Sequence, residues 1–128
     1  MNLDHLNIYV TDVKRSRAFY EPVMKAFGYD VVRDFDDVAV GFGNGDYAIL
    51  ALVRTKLPIE GVHFAFRVDS RAEVDRFYGV AISEGLQDNG APGLRPHYHA
   101  NYYAAFVRDE DGNNMEFVCH LTAQESSA

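Results

Sequence analysis

Three side chains in this sequence have the types and spacing to hold a divalent metal ion: His5 in "DHLNIYV", His63 in "VHFAFRV" and Glu116 in "GNNMEFVCH". Each stands in the polar phase of an alternating segment. Leu6, Ile8 and Val10 alternate with His5, Asn7 and Tyr9; Phe64, Phe66 and Val68 alternate with His63, Ala65 and Arg67; Met115, Phe117 and Cys119 leave Glu116 on the opposite side. A period of two puts the apolar set on one face of a strand and the remainder on the other. Two imidazoles and one carboxylate converging on one sheet face form the facial ligand set of non-haem iron and related centres, with positions open for substrate or water. Fe(II), Mn(II), Ni(II) and Zn(II) all accept such ligands, so the set specifies a divalent ion without choosing one.

The elements that must position these residues are related by an internal repeat. Adding 58 to His5, Val10, Asp12, Phe19 and Tyr20 gives His63, Val68, Ser70, Phe77 and Tyr78 with no gap. Asp12 is placed to cap a helix carrying Ala18, Phe19 and Val23 at helical spacing, with Pro22 dividing it into two parts ahead of Gly28. Ser70 with Glu73 predicts a capping box for the second helix. "YDVVRDF", "DVAVGF" and "YAILALV" read as a strand meander, and Leu57 to Gly61, with Pro58, as a connector. The second half is expected to close with strands near Leu94 to His99, Tyr102 to Arg108 and Met115 to His120, with "DEDGNN" as the last turn. The predicted fold class is α+β: two paired βαβββ modules, about 1–56 and about 61–121 with a tail over 122–128, in a single domain whose cupped mixed sheet carries helices on its outer face.

Composition excludes several functions. The 128 residues are 48% hydrophobic and 24% charged, the balance of a globular chain, and the net charge of -7 comes without any Lys/Arg cluster. A phosphate backbone or an anionic membrane surface would be repelled, so nucleic acid and membrane are not expected partners. "MNLDHLNIYV" lacks a basic segment and a cleavage pattern, and no apolar run reaches spanning length. The lone cysteine, Cys119, cannot form an internal disulfide and falls in the core phase. A cytoplasmic, reduced setting is expected.

Further residues share the face of the histidines. Arg67 can hold an anionic or enolate group, and Tyr102 and Phe106 share a phase that lines an apolar, aromatic small-molecule pocket, whereas Tyr103 should face the helices. In "HYHANYY", His97 or His99 can act as a general acid or base if the loop folds over the metal, with His99 the catalytic candidate. His120 shares the phase of Glu116 at the rim.

The segments "DHLNIYVTDVKRSRAFYEPVM", "VHFAFRVDSRAEVDRFY" and "YYAAFVRDEDGNNMEFVCH" resemble the vicinal oxygen chelate superfamily, which includes glyoxalase I, extradiol dioxygenases, fosfomycin-resistance proteins and bleomycin-resistance proteins. The resemblance covers nearly the whole chain. It implies paired βαβββ modules curled into a cup, metal ligands on the first, fifth and last strands at His5, His63 and Glu116, a small-molecule substrate, and a homodimer. Two departures narrow it. Glyoxalase I usually adds an acidic fourth ligand from the strand that reads "YAILALV" here, and no carboxylate stands near Ala48. Fosfomycin-resistance proteins and extradiol dioxygenases commonly have a tyrosine ten residues before the last glutamate, where this chain has Phe106. The expected function is a divalent-metal-dependent, glyoxalase- or dioxygenase-like enzyme acting through vicinal oxygens. The alternative is a metal-free binding protein resembling the bleomycin-resistance proteins.

Overall fold

The computed structural model describes residues 5–57 and 59–127, so Met1 to Asp4 and Pro58 of the expected connector lie outside the described residues. The chain divides after Glu60 into two compact units. Unit one runs β1 (Leu6–Val10), α1 (Val13–Ala26), β2 (Asp30–Asp34), β3 (Ala39–Asn44) and β4 (Tyr47–Arg54). Unit two runs β5 (His63–Arg67), α2 (Arg71–Ser83), β6 (Gln87–Leu94), β7 (Tyr103–Arg108), β8 (Asn114–Cys119) and a short α3 (Ala123–Ser126). Each unit folds its four strands into one mixed sheet, in the orders β1-β4-β3-β2 and β5-β8-β7-β6. The first and last strands of each unit pair in parallel and the others antiparallel. These are the two expected βαβββ modules of an α+β fold.

The caps repeat as well. The Asp12 carboxylate accepts from Arg15 N at 3.1 Å, and the Ser70 hydroxyl accepts from Glu73 N at 3.1 Å, so each helix begins on a side chain that satisfies one of its free amides. The capping box is altered: Glu73 accepts from the Asp69 amide, one residue ahead of the cap, at 2.9 Å. Both helices end alike, with Gly28 (φ +85°) and Gly85 (φ +97°) in the left-handed region. Tyr29 N reaches Met24 O and Leu86 N reaches Ala81 O, the long closing bond of a Schellman motif.

Three expectations are corrected. Pro22 does not divide α1, which is continuous from Val13 to Ala26. Proline removes one ladder bond, and fully buried Tyr20, Val23 and Met24 around it hold the helix together. The packed stripe of α1 is Val13, Ser16, Tyr20, Val23 and Met24, while Ala18 is exposed and Phe19 only half-buried. That stripe follows the i, i+3, i+7 rule, which the expected trio does not. The sixth strand covers 87–94 rather than 94–99, because its sequence "QDNGAPGL" has almost no strand character. As the edge of the sheet it tolerates Pro92 and two register shifts around Gly90.

In unit two, Phe66, Phe77 and Phe117 stack in the layer between sheet and α2, alongside fully buried Met115 and Cys119. Tyr103 faces α2 as expected, donating to Asp75 Oδ1 at 2.7 Å beneath the Arg71 guanidinium. Burial and that bond push its phenol up to about 12. The last turn forms on Asp109, whose carboxylate accepts from the amides of Asp111 and Asn113 and from the Asn113 side chain.

Candidate functional site

Strand register explains why Glu116 leaves the apolar layer. Met115, Phe117 and Cys119 are committed to α2, so Glu116 points to the opposite face, where it lies across from Ala65 on β5 and Phe106 on β7. It is only 2% exposed. A buried carboxylate is costly unless its oxygens are paired. Both are: Oε1 lies 2.9 Å from His63 Nε2, and Oε2 accepts the Tyr102 hydroxyl. Burial, and then the bond to Glu116, raise the Tyr102 phenol above its ordinary value, so it stays protonated and donates.

His63 begins β5 with its side chain 51% exposed, its imidazole stacked 6.2 Å from the Phe106 ring. The 2.9 Å between His63 Nε2 and Glu116 Oε1 is close to the edge of an octahedron with bonds of about 2.1 Å, roughly 3.0 Å, so the two atoms are spaced as neighbouring ligands of one divalent ion. Imidazole and carboxylate are donor types that a divalent ion accepts, and here the two are bonded directly to each other. His5 sits in unit one just ahead of β1, exposed and in the phase of Asn7 and Tyr9. Among the described residues, no group of three or more His, Cys, Asp and Glu side chains gathers as a metal site requires. Unit two thus brings His63, Glu116, Tyr102 and Phe106 together, while His5 belongs to unit one.

His99 belongs to a turn closed by Arg95 N to Tyr102 O and Tyr102 N to His99 O. Its Nδ1 accepts from Asn101 N at 3.1 Å, which leaves the proton on Nε2 to be donated to His120 Nδ1 at 2.7 Å. Burial first, then the Arg67 charge and the neighbouring His99, lower the basicity of His120, consistent with a neutral acceptor. Tyr102 packs edge-on against both rings, 5.3 Å from each. His99 therefore reaches Glu116 through Tyr102 rather than directly. Arg67 ends β5, exposed and close enough to His120 to act on it.

Two features escaped the sequence reading. His120, taken as rim, is the partner of His99. Glu116 has a phenol partner in Tyr102, fourteen residues before it, because the turn over 95–102 folds back on the last strand.

The fold and the sequence agree on kinship. The family model described as Glyoxalase/Bleomycin resistance protein/Dioxygenase superfamily matches residues 2–117. Similar solved structures include a glyoxalase/bleomycin resistance protein from Albidiferax ferrireducens T118, 20% identical over 91% of this chain and 97% of that one, with a TM-score of 0.76. Lactoylglutathione lyase from Agrobacterium tumefaciens is 23% identical over 92% of both chains, with a TM-score of 0.70. A glyoxalase/bleomycin resistance protein/dioxygenase family enzyme from Burkholderia phytofirmans PsJN is 22% identical over 94% of this chain and all of that one, also with a TM-score of 0.70. No curated protein matches the sequence. At these identities the structures speak for the fold, and the family model carries the kinship: the chain belongs to the glyoxalase/bleomycin resistance protein/dioxygenase superfamily.

Proposed function

We propose that the protein is a divalent-metal-dependent enzyme that binds a small molecule through vicinal oxygens at His5, His63 and Glu116. The observation that carries this reading is the buried Glu116 carboxylate, fixed at one oxygen by Tyr102 and spaced at the other as a ligand neighbour of His63. When bound, an Fe, Mn, Ni or Zn ion supplies Lewis acidity to the two substrate oxygens, or, as Fe(II), a site for oxygen. The chain's own residues do the rest. Tyr102 orients the Glu116 carboxylate, as partners behind a metal ligand do. The His99–His120 pair holds a proton at His99 Nε2 beside the pocket, where it serves as the acid or base. Phe106 forms an aromatic wall, and Arg67 offers a positive charge at the end of β5.

One observation favours the metal-free alternative, a binding protein without chemistry: His63 and Tyr102 already satisfy both oxygens of Glu116. Elemental analysis of untagged protein purified anaerobically, wild type beside Glu116→Ala, separates the two. The metalloenzyme contains stoichiometric metal that the variant loses; the binding protein contains none even after Fe(II), Mn(II), Ni(II) and Zn(II) are offered. Homodimerisation and a cytoplasmic location belong to the same proposal. Among the described residues, no helix is long and apolar enough to cross a membrane.

A further inference from the structure

On the same face of unit two as Glu116 lies a groove of about 300 Å³, lined by Asn89, Arg95, His97, Tyr98, Phe106 and Asn114. Its lining contains no carboxylate, although the chain carries a net charge of -7. The cation in it is Arg95. One guanidinium nitrogen, Nη2, donates to Ala91 O at 2.7 Å, and the guanidinium carbon stands 5.4 Å from the centre of the Phe106 ring. Among the described residues Arg95 has no carboxylate partner. A guanidinium offers five donors, so most of its hydrogen-bonding capacity is uncommitted.

The edge strand is shaped to admit this side chain. At Gly90 (φ +150°) a Cβ would lie 3.0 Å from Phe106 Cδ2 and 3.2 Å from Arg95 Nη2, and at Gly93 it would lie 3.1 Å from Arg95 Nη1. The two glycines leave space where the guanidinium lies back over Phe106. Across the groove, Asn89 Nδ2 donates to Asn114 Oδ1 at 3.1 Å, which leaves the side-chain nitrogen of Asn114, Nδ2, uncommitted among the described residues. Asn114 is also the strand partner of His63.

We infer that this groove binds the anionic group of a small substrate, a carboxylate or a phosphate, with Arg95 as its charge partner and Phe106 as the floor that joins it to His63. A partly desolvated guanidinium over an apolar ring favours a planar or tetrahedral oxyanion that takes paired N–H bonds. Arg95 is thus a specificity-determining residue. The substrate class becomes a small oxyacid whose vicinal oxygens reach the His63–Glu116 end while its anionic group sits at the Arg95 end. That assignment of ends rests on the function proposed above; the anion site itself does not.

The test is an amide chemical-shift titration of chelator-treated protein with inorganic phosphate and, separately, with benzoate, at constant ionic strength. Wild type should show saturable shifts centred on Asn89, Gly90 and Asn114, and the stronger of the two anions tells phosphate from carboxylate. Arg95→Gln should bind about tenfold or more weakly, and Arg95→Lys should fall between, since it keeps the charge and loses the fork. Asn114→Asp should weaken binding by placing a carboxylate in the groove that Arg95 lines, and it keeps the inference testable if Arg95→Gln does not fold. Absence of saturable shifts with both anions, unchanged affinity in Arg95→Gln, or shifts centred elsewhere would each overturn the inference. Because no metal is present, loss of metal binding as the proposed function would leave this result untouched.

Discussion

The two units place different chemistry on the same scaffold. Strand register aligns Asn7, Ala51 and Gly41 of unit one with Ala65, Glu116 and Phe106 of unit two. The repeat also aligns His5 with His63 and cap Asp12 with cap Ser70. At the site face, then, unit one retains the histidine and replaces the carboxylate and the aromatic wall by alanine and glycine. A βαβββ module needs its apolar layer and caps to fold, while its open face is free to differ. The partnered acid, its phenol and the aromatic ring therefore all stand in unit two.

The comparison breaks first at the apolar layer. Leu52 and Phe117 occupy matching places and are both fully buried. Leu52→Ala and Phe117→Ala should each lower the free energy of unfolding by about 3–5 kcal/mol in urea denaturation. A change under about 1 kcal/mol at either position would show that its unit does not depend on the shared layer. The next effect belongs to unit two alone. Tyr102→Phe strands Glu116 Oε2, with a stability loss of about 1–3 kcal/mol and a drop in metal affinity of about 10–100-fold. Unchanged metal affinity in a folded Tyr102→Phe protein would remove the phenol from its positioning role.

Smaller again is the effect of His120. Its folded proton affinity lies below the ordinary histidine value of 6.5, through burial, then the Arg67 charge and the neighbouring His99, so the unfolded chain binds that proton more readily. The stability held by neutral His120 is complete above about pH 6.5 and is lost as pH falls from there through its lower folded value. Wild type should unfold more easily as the pH drops from about 7 to 5, and His120→Asn should flatten that slope. An identical slope in the variant would assign the acid sensitivity to other groups. The smallest effect is on the surface of unit one, where Arg17 bridges Asp34 and Glu21 at 3.1 Å each. Arg17→Ala should cost little stability, and the loss should shrink as salt is added. A large loss that salt does not touch would mean that the guanidinium acts by packing.

Strong periodicity made the scaffold readable. β1, β5 and β8 announce their faces by alternation, so His5, His63 and Glu116 fall in phase without reference to contacts. β6 could not be read because Asn89, Gly90, Pro92 and Gly93 are there for close approach and an edge position, not for strand propensity. For the same reason Arg95 gave no signal, since its place depends on missing side chains. Pro22 misled because tertiary burial outweighs one lost helix bond. The phase of Tyr102 was legible but not its partnership with Glu116, because a turn, and no sequence period, joins them.

The proposed function stands on Glu116 and the two repeated histidines acting as ligands of one metal ion. Titrate Mn(II) into chelator-treated wild type, His5→Ala, His63→Ala and Glu116→Gln, following the free-ion electron paramagnetic resonance signal. Wild type should bind one Mn(II) per chain, and each variant should lose about 100-fold or more in affinity. Wild-type protein that binds no Mn(II), or a Glu116→Gln variant that binds it as tightly as the wild type, would contradict it.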